Sequence, residues 1–282
     1  MEGLEAAMAK ARAARQSLQA TGNAAPAADM AAAGATLAAP TADGPLGDWS
    51  SLRSLDITPA QARSKRLTSI VGPEFASYYG ILRARVMRQM KENGWTRLAV
   101  TSAREKSGKS TISLNLALSL ARSDDQKVIL MDFDLRRPSI AALLDLKNTP
   151  NLTGLLRPGA PFRDYALRYG SNLAICANRT KVQNSAELLQ GQLIKEGLDR
   201  IEAEWQPDIM VFDTPPMQGN DDNMGFFANV DCALIVAAAG RDTLTQIDRC
   251  EQEVGGLTNV LGTVLNKCRY ADTDTGYDNT YY

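Results

Sequence analysis

Apolar residues in this chain fall into two kinds of pattern. Between 73 and 90 the positions Phe75, Tyr79, Leu82, Val86 and Met90 recur at the three-to-four spacing of one helix face, and Pro73-Glu74 supplies a helix start. Elsewhere short, mainly apolar runs stand out at 98–101, 127–131, 173–176, 209–212, 233–237 and 260–265, each of strand length. Segments at 111–121, 139–144, 186–205, 223–228 and 245–254 carry helical patterning between them. A strand with no polar alternate face is buried on both sides, and strands that alternate with helices build parallel sheets. The pattern predicts an α/β, doubly wound domain with a mostly parallel sheet.

The flanks read differently. Residues 1–20 predict a weak amphipathic helix, with Leu4, Met8, Ala11 and Leu18 along a thin apolar face. Residues 21–47 are rich in Ala and Pro and nearly free of large apolar side chains, the composition of a flexible linker. The folded domain is expected over 48–268, and 269–282 reads as a mobile tail that carries tyrosines.

Composition narrows the chemistry. With 31 basic against 32 acidic residues, nothing calls for nucleic acid as a partner. The absence of histidine excludes Ser-His and Cys-His nucleophiles and His-ligated zinc. Cys176, Cys232, Cys250 and Cys268 are scattered without a CxxC pair and read as reduced thiols. Glu2 and Glu5 stand where a secretion signal needs basic residues, and no run is long enough to span a bilayer. A cytoplasmic protein is expected, with any role at the inner face of a membrane arising through a partner.

Three motifs carry candidate chemistry. The first runs Ala103, Arg104, Glu105, Lys106, Ser107, Gly108, Lys109, Ser110 and Thr111, between a strand and a helix. A P-loop of the form GxxxxGK[ST] cradles phosphates with backbone amides, reaches them with its lysine and holds Mg²⁺ with its hydroxyl. Ala103 replaces the first glycine here; Arg104 and Lys106 either add phosphate contacts or face solvent. The second is Asp132-Phe-Asp134-Leu-Arg136 at the end of an apolar strand, where open α/β sheets bind ligands. One aspartate can hold a magnesium-bound water and the other accept a proton; alternatively the pair caps the next helix with Arg136 as counter-ion. The third is Asp213 in DTPP, an aspartate ending a strand as in a Walker B motif.

Together these motifs resemble the bacterial tyrosine kinases of capsule and exopolysaccharide export, within the wider group of partitioning ATPases. The resemblance covers about residues 70–270. It rests on the P-loop, on DxDxR with Arg137-Pro138, on DTPP, on Asn184-Ser-Ala-Glu-Leu-Leu189 and on Val264-Leu-Asn266. It implies that Lys109, Ser110, Arg136 and Asn266 bind ATP, that Asp132 and Asp213 organise Mg²⁺ with Ser110, and that Asp134 deprotonates an acceptor tyrosine. It also implies acceptors in a C-terminal cluster, here Tyr270, Tyr277, Tyr281 and Tyr282, four of the chain's eight tyrosines. A membrane polysaccharide co-polymerase or activator supplied in trans is the implied partner, and a homo-oligomer is compatible with it. The family's ring-assembly motif ExxRxxR is represented by Ser77 to Arg83, of which Arg83 matches. Two other functions stay open: a nucleotide-switch ATPase and an adaptor that only binds nucleotide.

Overall fold

A computed structural model describes residues 47–219 and 221–268, with the side chains of 73–77 excepted. The expected helix at 1–20, nearly all of the expected linker and the tyrosine tail lie outside the described residues.

The described chain forms an eight-stranded sheet in the order β1-β4-β5-β3-β6-β2-β7-β8. The strands are β1 (Arg53–Ser54), β2 (Arg97–Ser102), β3 (Val128–Asp132), β4 (Leu167–Tyr169), β5 (Leu173–Cys176), β6 (Ile209–Asp213), β7 (Cys232–Ala238) and β8 (Asn259–Asn266). All neighbours run parallel except the β4–β5 hairpin. Helices α1 (Pro59–Ser64), α2 (Pro73–Asn93), α3 (Lys109–Leu120) and α4 (Ile140–Leu143) precede the hairpin. Helices α5 (Ser185–Gln190), α6 (Gln192–Trp205), α7 (Asp222–Phe226) and α8 (Leu244–Gly255) follow it.

Each central strand feeds two cores, as side chains with a period of two must when both faces are covered. Val128 and Leu130 of β3, and Ile209 and Val211 of β6, pack with Val86, Met90 and α3 on one face. Ile129, Met131, Met210 and Phe212 face the other way, onto Leu189, Leu198, Trp205, Phe226 and Val254. α3 is buried along nearly its whole length between sheet and surface helices, which explains its lack of a polar stripe.

Three parts of the fold differ from the sequence reading. The helix expected over 186–205 is two helices, because Gly191 is extended (φ −73°, ψ 156°) and serves as end of one and cap of the other. α1 was not foreseen, although Thr58 and Gln61 form a capping box around Pro59. The short β1 and β4 offer too few residues for a periodic signal. The chain enters the domain at Trp49, whose indole N–H donates to the Trp205 carbonyl at 3.0 Å. Among the described residues no helix is long and apolar enough to cross a membrane.

Candidate active site

The loop between β2 and α3 sets the site. Gly108 takes a left-handed conformation (φ +93°), and a Cβ there would come within 2.2 Å of the Asn266 amide nitrogen. Glycine is required at that position by both conformation and space. Ala103 is absent from the positive-φ residues, so the residue replacing the first glycine meets no backbone strain. Lys106 is left-handed (φ +61°), and its carbonyl accepts from Lys267 Nζ at 2.5 Å. Asn266 Nδ2 donates to the Ser107 carbonyl at 2.9 Å. The Ser107 hydroxyl lies between the Arg104 carbonyl (2.9 Å) and the Asp242 carboxylate (3.2 Å). The end of β8 and the turn before α8 thus hold the loop in shape. Asn266, expected at the nucleotide, meets the loop backbone here, and the contacts of Asp242 and Lys267 were not anticipated.

Beside the loop opens a cleft of about 530 Å³, lined among others by Gly108, Lys109, Ser110, Thr111, Asp134 and Arg136. Lys109 and Ser110 stand in the first turn of α3. Lys109 Nζ donates to Asp134 Oδ2 at 2.6 Å and lies 3.7 Å from Asp213 Oδ1. Burial alone would lower the Lys109 pKa, but Asp213 and Asp134 outweigh it and hold the ammonium above its ordinary range. Asp134 Oδ1 accepts the Arg137 amide at 3.0 Å, which fixes the carboxylate's orientation.

Asp132 and Asp213 lie deeper. Because β6 pairs with β3, the two residues are register partners at the carboxyl ends of adjacent strands. Both are fully buried. Burial, then the neighbouring Asp213, pushes Asp132 well up, offset in part by the Ile140 amide. Burial also raises Asp213, while Lys109 and the Ser110 hydroxyl draw it back. Asp132 Oδ2 accepts the Ser139 and Ile140 amides, both at 3.0 Å, and so caps the start of α4. The capping alternative therefore describes Asp132, whereas Arg136 finds its counter-ions elsewhere: Asp221 and Asp222.

Two buried oxygens in this floor, Asp132 Oδ1 and Asp213 Oδ2, have no hydrogen-bond partner among the described residues. A buried acceptor left unpaired is costly unless a bound group or water satisfies it. These acceptors and the Ser110 hydroxyl are the hard oxygen donors that Mg²⁺ takes. Among the described residues no three carboxylates or thiols gather into a cation cage.

The remaining loop residues divide. Glu105 forms an ion pair with Arg137 across the cleft mouth, so its carboxylate is neutralised from the DxDxR side. Lys106 lies at the rim and Arg104 is half-buried. Arg83 donates to the Ser119 carbonyl of its own chain at 3.0 Å. Tyr270, Tyr277, Tyr281 and Tyr282 lie outside the described residues.

Comparison with known proteins bears on this geometry. Residues 95–280 match the family model described as ParA, NUBPL iron-transfer P-loop NTPase. The tyrosine-protein kinase YwqD of Bacillus subtilis (strain 168) is 30% identical over 185 residues, which cover 65% of this chain and 75% of that one. The chain belongs to the bacterial tyrosine kinases, within the ParA-type P-loop NTPases. The tyrosine-protein kinase CpsD of Streptococcus agalactiae is 29% identical over 217 residues, 76% of this chain and 88% of the relative. The solved kinase domain of the Escherichia coli tyrosine kinase ETK superposes with a TM-score of 0.61 at 27% identity, over 71% of this chain and 78% of that structure.

Proposed function

We propose that this kinase transfers the γ-phosphoryl group of MgATP to tyrosines of its own C-terminal segment, Tyr270, Tyr277, Tyr281 and Tyr282. The observation that carries the reading is the Lys109 ammonium, held between Asp134 and Asp213 at the foot of a cleft that a P-loop frames. A polyphosphate in that cleft offers the ammonium an anionic alternative to Asp134. Asp134 Oδ2 is then free to accept the phenol proton, while Oδ1 stays tethered to the Arg137 amide. The phenol oxygen forms the new bond to phosphorus as the bond to the bridging oxygen of ADP breaks, and the proton ends on Asp134.

The loop amides from Ser107 to Thr111 and the α3 N-terminus bind the phosphates, and Asn266 closes the nucleotide side. Ser110, Asp132 and Asp213 would hold Mg²⁺, which would neutralise charge on the phosphates. Positioning and charge neutralisation supply most of the catalysis in such transfers. The kinase names of the relatives support this reading, and the regulated process we assign is exopolysaccharide polymerisation or export. A membrane co-polymerase or activator supplied in trans is the proposed partner, with recruitment to the inner face of the membrane.

The test is intact-mass and peptide mass spectrometry of the full chain with MgATP, with and without candidate partner tails. Phosphate on the four C-terminal tyrosines, lost in Lys109→Met and Asp134→Asn, is the expected result. ATP hydrolysis without phosphotyrosine would overturn it in favour of a switch ATPase. Binding without turnover would leave an adaptor.

A further inference from the structure

Three segments far apart in sequence meet at one guanidinium. Arg136 leaves the turn after β3, and its Nη2 donates to Asp221 Oδ1 at 2.5 Å and to Asp222 Oδ1 at 2.8 Å. Its Nε donates to the Ser185 hydroxyl at 3.2 Å, at the start of α5. The two acids differ in kind: Asp221 is 62% exposed, whereas the Asp222 side chain is wholly buried. Asp222 Oδ2 has no hydrogen-bond partner among the described residues, and Arg136 provides its charge compensation. A buried carboxylate that loses its cation is strongly destabilising.

The stretch 214–219, which joins Asp213 to this acidic pair, forms a wall of the cleft through Pro216, Gln218 and Gly219. From Thr214 to Gln218 it is fixed to β2 and the start of the P-loop. The Pro215 carbonyl accepts from Thr101 Oγ1 at 2.7 Å and from Asn223 Nδ2 at 2.8 Å. The Met217 and Gln218 amides donate to the Ser102 and Ala103 carbonyls. Beneath, Phe226 of α7 stacks on Phe133 with centroids 4.7 Å apart and meets Phe212 edge-on at 5.3 Å. The Arg136 clamp joins the turn carrying Asp134 to the acidic pair that follows this stretch.

We propose that Arg136 is a positioning residue for the phosphoryl transfer and not a phosphate ligand. By holding Asp222 and Ser185 it fixes the wall against the Asp132–Arg136 turn, and with it the placement of Asp134 opposite Asp213. Its Nη2 and Nε are committed to Asp221, Asp222 and Ser185, which holds the side chain on the wall side of the turn. The inference rests on reading the cleft as the nucleotide site.

The test compares Arg136→Gln, Asp222→Asn and the double variant with the full-length wild type. It uses hydrogen exchange over 214–219, MgADP affinity by calorimetry and the rate of phosphotyrosine formation. In Arg136→Gln, exchange should rise and transfer fall by about tenfold or more, with MgADP affinity changed by less than about threefold. Adding Asp222→Asn should recover much of both, because the uncompensated buried charge is gone. Loss of MgADP affinity by about tenfold, with no response to Asp222→Asn, would overturn the proposal and make Arg136 a phosphate ligand. Faster exchange with an unchanged transfer rate would overturn it too, leaving a purely structural clamp. If the wild type forms no phosphotyrosine, the autokinase reading fails on that arm alone. The exchange and affinity arms then still decide: coupling between Arg136 and Asp222 supports the clamp, and its absence overturns it.

Discussion

The two ends of the sheet handle charge in opposite ways. At the amino ends of the strands, Arg97 pairs with Asp199 at 2.7 Å and Glu202 at 2.5 Å. Asp231 accepts the amides of Thr96 and Arg97 there, and Asn172 donates to three carbonyls that close the α3–β3 connection. At the carboxyl ends, Asp132, Asp134 and Asp213 share the one ammonium of Lys109. Buried acceptors without a hydrogen-bond partner among the described residues gather at this end as well, on Asp132, Asp213, Asp222 and Asn223. Satisfied polar groups stabilise a fold, whereas crowded like charges and orphaned acceptors cost stability and persist where a ligand completes them. The lower end therefore reads as structure and the upper end as function, although both are built from the same residue types.

Substitutions at matched positions probe that division. The largest effect is expected for Lys109→Met, with phosphotyrosine formation falling by more than about a hundredfold. Its counterpart Arg97→Met should lower stability by about 1–3 kcal/mol in a denaturant titration and leave the transfer rate per folded molecule unchanged. A comparable loss of transfer in Arg97→Met would break the comparison. Asp132→Asn keeps an acceptor for the Ser139 and Ile140 amides and removes one crowded charge. It should raise the apo Tm by about 2–4 °C in calorimetry while weakening Mg²⁺-dependent nucleotide binding. A fall in Tm would show that the upper end is not under electrostatic stress.

The smallest and most graded effect is on pH dependence. Asp132 and Asp213 are raised in the folded protein, so the folded state holds their protons more tightly than the unfolded chain. Their contribution to stability is full below the ordinary carboxylate range and is lost as pH rises through the raised values. Mg²⁺-dependent binding follows the reverse course, because the metal needs the ionised forms. Apo Tm and MgADP affinity measured on acidification from neutral pH should move in opposite directions above the ordinary carboxylate range. Asp132→Asn should flatten both.

Much of this site was legible in the sequence. Lys109, Asp134 and Asp213 could be placed because each follows an unbroken apolar strand or opens a buried helix, a context that local pattern reveals. Asp242, Lys267 and Asp222 could not, since each acts through a contact with a segment far away in sequence; Ser185 lay in a motif already noted, but its contact with Arg136 did not show. The Asp221-Asp222 pair shortly after DTPP was a signal on hand, yet nothing local marks which acid is buried. β4 escaped notice because a three-residue strand containing Arg168 shows neither alternation nor an apolar run.

The sequence by itself determined the layered α/β character, through strands apolar on both faces, and the identity of the loop that frames the cleft. Only the tertiary structure decided that β6 inserts between β3 and β2, which makes Asp132 and Asp213 neighbours above one lysine. Strand order is set by how crossover helices pack over long chain separations, whereas residue pattern reports only the burial of each element. The charges that give the site its chemistry therefore acquire their roles from that packing.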